Sequence, residues 1–133
     1  MKIKLIFTVL IFSFSLFANA QLIIQSDFSQ DLYYDKELKD WEVVDYHEEF
    51  TTFNLSEDMT TFQYTENGVT DDYTIISYDF DEETTVLELV IHDNSNIEYF
   101  VMIDAINLFL SMTAHLDGFD YMLLFNITDI TNE

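Results

Sequence analysis

The stretch from Thr84 to Asp104 constrains the fold more than any other. Leu87, Leu89 and Ile91 alternate with polar or smaller residues on one side of Asn94-Ser95-Asn96. Ile97, Tyr99, Val101 and Ile103 alternate on the other side. Period-two alternation on both sides of a turn signal describes a β-hairpin with one apolar face. The question is whether the rest of the chain can be laid beside it.

From Trp41 onward it can. The pattern predicts eight strands: Trp41–Tyr46, Glu49–Leu55, Thr60–Glu66, Val69–Phe80, Thr84–His92, Ile97–Asp104, Asn107–His115 and Phe119–Ile130. No proline interrupts them. Two turns fix register. Asn67-Gly68 is a type I′ signal that pairs Glu66 with Val69 and hence Phe62 with Tyr73. Asp117-Gly118 pairs Met112 with Leu123 and Leu110 with Phe125.

The other turns are less specific. A loop at Asn94–Asn96 pairs Leu89 with Val101. Loops at Ser56–Met59, Asp81–Thr84 and Ala105-Ile106 pair Phe53 with Phe62, Tyr78 with Leu87, and Val101 with Leu110. Parity changes within Tyr73-Thr74-Ile75-Ile76, which predicts a β-bulge and turns Ile76, Tyr78 and Phe80 inward.

One continuous apolar face results, and water must be excluded from it. The expected fold is all-β: an eight-stranded antiparallel up-and-down meander curled into a small closed or nearly closed barrel. Two packed layers are the alternative. The opposite face is polar on the early strands but carries Val90, Phe100, Met102, Phe109, Met122 and Leu124 later. Such a patch calls for a cover or a partner. The segment 21–40 contains Leu22, Ile23, Ile24, Phe28 and Leu32. It reads as a short helix or strand and is the nearest candidate cover, a second copy of the chain being the other.

Residues 1–20 read as a cleavable signal peptide. Lys2 and Lys4 precede an apolar run, Leu5 to Phe17, which ends in Ala18-Asn19-Ala20 before Gln21. The apolar run is short for a membrane span. The expected location is secreted or periplasmic, with no membrane association after cleavage and a domain over 41–133. There is no cysteine, so stability must come from packing rather than disulfides.

All 26 carboxylates follow residue 20, where Lys36 and Lys39 are the only lysines and arginine is absent. That balance disfavours nucleic acid and anionic membranes as partners. Its simplest consequence is solubility.

Motifs for catalysis are missing. No Gly-x-Ser-x-Gly, His-Glu-x-x-His or phosphate-cradling glycine loop occurs. The sequence therefore predicts a protein that is not an enzyme and has no cofactor. Asp79, Asp81 and Glu83 have the spacing that opens a calcium loop, but Thr84 and Val90 stand where that loop needs glycine and glutamate. His47 could join nearby carboxylates on a metal, although all three histidines read more simply as exposed loop or strand-end residues. If the barrel holds a small apolar ligand, Phe62, Tyr64, Tyr78, Tyr99, Val101, Leu110 and Phe125 would line it. The rival is a filled core with Phe100, Met102, Phe109, Met122 and Leu124 as an interaction patch.

The order of these features resembles lipocalin-like proteins: an export signal, a short leading segment, Trp41 opening the first strand, and a meander. It is particularly similar to small exported proteins of Bacteroidota, whose leaders end as Phe17-Ala18-Asn19-Ala20-Gln21 does. The resemblance covers the architecture of Trp41 to Ile130. Lys39-Asp40-Trp41 lacks the glycine of the lipocalin Gly-x-Trp, and the arginine that packs on that tryptophan has no counterpart. The resemblance implies an apolar-ligand site.

Overall fold

The computed structural model describes residues 21–132. The expected signal peptide lies outside them. The described chain is all-β: Leu22–Ser26 (β1), Ser29–Asp35 (β2), Asp40–His47 (β3), Thr51–Leu55 (β4), Thr61–Glu66 (β5), Val69–Asp81 (β6), Val86–His92 (β7), Glu98–Asp104 (β8), Phe109–Leu116 (β9), Phe119–Asn126 (β10) and Asp129–Asn132 (β11). They form one antiparallel sheet in the order β11-β1-β4-β5-β6-β7-β8-β9-β10-β2-β3.

Two expectations are corrected. There are eleven strands rather than eight, and the sheet is not closed: β11 and β3 end the ladder and do not pair with each other. The higher count has a local cause. The segment 21–40 supplies two strands, β1 and β2, parted at Asp27-Phe28, and the last expected strand breaks at Ile127-Thr128 to give β11. After each break the chain pairs with a different neighbour. Thus β1 lies between β11 and β4, while β2, two residues further on, lies between β10 and β3.

The segment 21–40 is therefore neither a helix nor a cover over the outer face. Leu22 and Ile24 point into the core, 4% and 0% exposed. Burying each contributes about 1.5–3 kcal/mol. Phe28 O accepts from Asn126 N, and Gln25 O accepts from Thr128 N, so β1 and β2 are joined to the β10–β11 run even across the breaks.

The core is filled with rings and aliphatic side chains. Phe53, Phe62, Phe125, Ile24, Leu55, Leu87, Leu89, Ile91, Val101, Ile103 and Leu110 are all within 2% of complete burial. Phe53 touches Phe62, Tyr64 and Phe125 at centroid separations of 5.7, 5.2 and 4.8 Å. The Tyr64 and Phe125 contacts are edge-on, a geometry that adds about 0.5–1.5 kcal/mol per pair beyond area burial.

Register agrees with expectation at the two glycine turns and at Asn94–Asn96. Phe62 pairs Tyr73, Met112 pairs Leu123, Leu110 pairs Phe125 and Leu89 pairs Val101. At the other three turns the register moves by two residues: Phe53 pairs Tyr64, Tyr78 pairs Leu89, and Val101 pairs Met112. A slip of two leaves every side chain on its own face, so the apolar face survives. The exception lies at the bulge. The register shift falls between Ile75 and Ser77. Ile75 is buried (8% exposed) and Ile76 is exposed, while Tyr78 lies opposite Leu89 but is exposed as well.

Two of the displaced turns and the β2–β3 turn share one device. In the hairpins β2–β3, β6–β7 and β8–β9, four residues separate an aspartate from the next strand, and the fourth is left-handed: Lys39 (φ 54°), Thr85 (φ 58°) and Leu108 (φ 60°). The aspartate side chain caps the turn. Asp35 Oδ1 accepts from Glu37 N and Leu38 N, Asp81 Oδ1 from Glu83 N and Thr84 N, and Asp104 Oδ1 from Ile106 N and Asn107 N. The carboxylate substitutes for the strand partners that these N–H groups lack.

Candidate functional site

Pairing register assigns each residue of β2 and β3 to a face. Phe125 and Leu123 pack on the core, and they pair with Ser29 and Asp31, which pair in turn with His47 and Asp45. Asp31, Asp45 and His47 therefore share the inner side. Their donor atoms lie within 4.8 Å of one another. His47 Nε2 is 2.9 Å from Asp31 Oδ2 and 3.8 Å from Asp45 Oδ2. The hydrogen bond to Asp31 is the main reason the imidazole is held above its ordinary pKa, against a smaller opposing effect of burial.

This cluster sits where the sheet parts. β4 is flanked by β5, but β3 pairs with β2 alone. Across the opening stands a second acid pair. The Glu66 side chain hydrogen-bonds with Glu49, which raises the pKa of Glu49 and lowers that of Glu66. Tyr64 Oη donates to Glu66 Oε2 at 2.5 Å, and Asn67 Nδ2 to Glu49 Oε2 at 3.1 Å. Burial, then Glu66, pushes the Tyr64 hydroxyl far up. Burial, followed by the charges of its neighbours, pushes Tyr73 up to about 12. Both hydroxyls stay neutral.

The residues expected to line a ligand site do not share one environment. Phe62, Val101, Leu110 and Phe125 are fully buried in the packed core. Tyr64 and Tyr99 are partly buried, and Tyr99 Oη donates to Asp93 Oδ2. Tyr78 is 59% exposed. Cross-strand pairing does bring the expected interaction patch together. One outer row runs Val90, Phe100, Thr113, Met122, Leu32, Val43 across six strands. The next runs Glu88, Met102, Ser111, Leu124, Gln30, Tyr46. Leu32 extends the patch within the sheet instead of covering it. Phe109 lies at its margin, opposite Asp104 and Asn126.

Asp79 and Asp81 line an open outer groove of ≈ 570 Å³ with Glu88, Met102, Asp104 and others. Glu83 is in the adjoining turn and is not part of the groove lining. Asp81 is engaged in capping that turn. The histidines differ in setting. His92 Nε2 is 3.3 Å from Glu98 Oε1 and His115 Nδ1 is 2.6 Å from Asp120 Oδ1, each a single cross-strand contact. Only at His47 do two carboxylates converge among the described residues. Asp31 and Asp45 were absent from the sequence-derived candidates. Asp45-x-His47 was visible as a same-face pair on a strand, but Asp31 is joined to it by the unread β2–β3 hairpin.

No helix among the described residues is long and apolar enough to cross a membrane. No model of a known protein family matches this chain, and no curated protein or solved structure is significantly similar to it.

Proposed function

We propose that this is an exported, non-catalytic interaction protein whose working surface is the outer face of β7–β10 and β2. Export rests on the character of residues 1–20, and the non-catalytic reading on the missing motifs. The observation that carries the interaction reading is the packed ring cluster of Phe53, Phe62, Tyr64 and Phe125. A small apolar ligand in the core would have to displace those rings. The apolar surface that remains lies outside, along Val90, Phe100, Met102 and Met122. Glu88, Glu98 and Asp120 stand two residues along their strands from Val90, Phe100 and Met122, and so frame the same face. The fitting partner is a protein surface presenting apolar side chains among lysines and arginines. A second copy would bring two chains of net charge −22 together.

A peptide alternating lysine with valine and phenylalanine tests this against a control with glutamate in place of lysine. The expected result is binding of the lysine peptide alone, weakened by salt and by Phe100→Ser. Failure of the lysine peptide to bind would overturn the reading. Lipid co-purifying with the protein would overturn it in favour of an apolar-ligand carrier, and a stable dimer would do so in favour of self-association.

A further inference from the structure

We propose that Asp31, Asp45 and His47 form a binding site for a divalent transition metal ion, zinc being the best match to the donor set. The site is independent of the outer face discussed above. Asp45 and His47 are two apart on β3 and lie on one face, the arrangement by which a strand offers two ligands to one ion. Asp31 pairs directly opposite Asp45 and supplies the third from β2. The donor atoms already lie within 4.8 Å of one another. Bonds of about 2.0–2.2 Å to nitrogen and oxygen place tetrahedral ligand atoms about 3.4 Å apart, so small side-chain rotations suffice.

The chemistry of the donors selects the ion. An imidazole nitrogen with carboxylate oxygens suits zinc and its neighbours, whereas calcium takes six to eight oxygens and magnesium keeps most of its water. His47 and Asp31 are each about one-third exposed, and Asp45 is more open, at 64%. An ion could thus enter from solvent and keep water on its remaining positions. The two lysines of the described chain are at the β2–β3 turn, and one of them, Lys36, is held by Gly118 O. Neither forms an ion pair with these carboxylates. Binding exchanges the His47–Asp31 hydrogen bond for coordination of both residues, and the Nε2 proton goes to solvent or buffer.

The test titrates zinc chloride into ¹⁵N-labelled protein and follows the three imidazoles by NMR. The expected result is that His47 Nε2 shifts first and saturates near one equivalent, while His92 and His115 move only in excess metal. In parallel, calorimetry should show the tightest zinc site weakened at least about tenfold by His47→Gln and unchanged by His92→Gln or His115→Gln. Equal response of all three histidines, or full-strength binding by His47→Gln, would overturn the proposal. So would calcium competing on equal terms, because carboxylates alone would then account for binding. The NMR arm uses the unaltered protein and stands even if a variant fails to fold.

Discussion

The ring of Phe53 in β4 packs edge-on against that of Phe125 in β10, with centroids 4.8 Å apart. Six steps of the ladder separate their strands. Such a contact requires the sheet to curl through most of a turn. The segment β1–β2 holds the curl, since its first half bonds to β4 and its second half to β10. The core is thus secured from both sides by a stretch whose sequence gives only a weak strand signal.

Phe125→Ala should cost about 3–5 kcal/mol, because a large ring is removed from a site that cannot collapse. Phe53→Ala should cost as much. Their combined effect should fall short of the sum by about 0.5–1.5 kcal/mol, the worth of the ring pair. Urea unfolding of the two single variants and the double variant measures this. Simple additivity would mean that the rings are not in contact.

The turn caps should differ in value according to burial. Asp104 is 7% exposed, and its Oδ2 also accepts from Asn107 Nδ2. Asp104→Ala should therefore cost about 1–3 kcal/mol, since partly buried N–H groups lose their partner. Asp35 caps an exposed turn, and Asp35→Ala should cost about 0.5–1.5 kcal/mol. Thermal unfolding of both variants checks the ranking. Equal losses would contradict it.

Those caps mark where sequence reading succeeded and where it failed. Asn67-Gly68 and Asp117-Gly118 were readable because the left-handed positions carry residues that tolerate them. At the other turns the left-handed residues are Met59, Thr85 and Leu108, which carry no such signature. The register was misread there by two residues. The signal present at the turns of Thr85 and Leu108 was the preceding aspartate, whose carboxylate caps the following N–H groups. Burial parity survived because an even slip does not change faces. In Ser29–Asp35, Leu32 faces outward and Asp31 inward, which is the reverse of a simple core strand. That inversion hid both the strand and the Asp31–Asp45–His47 cluster.

Alkaline titration should separate the tyrosines. Burial raises the Tyr73 pKa to about 12. A group held above its unfolded value stabilises the protein fully below that value, near pH 10, and the contribution is lost as pH rises through the folded pKa. Absorbance of tyrosinate should therefore appear late for Tyr73, and stability should fall between pH 10 and 12. Tyr73→Phe should reduce that fall. An unchanged pH profile in the variant would contradict the assignment.

Salt should stabilise the protein. With 26 carboxylates and a net charge of −22, self-repulsion opposes the compact state. Screening at about 0.5 M sodium chloride shortens the Debye length to roughly 4 Å and should raise Tm. A Tm that falls with added salt would show that specific ion pairs outweigh the repulsion.

Leu22–Ser26 is an integral strand between β11 and β4. Native-state hydrogen exchange of its amides tests this most directly. The hydrogen-bonded amides of Leu22–Ser26 should exchange only with global unfolding, at the same free energy as those of Val101 and Ile103. Exchange within minutes, as in a frayed terminus, would contradict it.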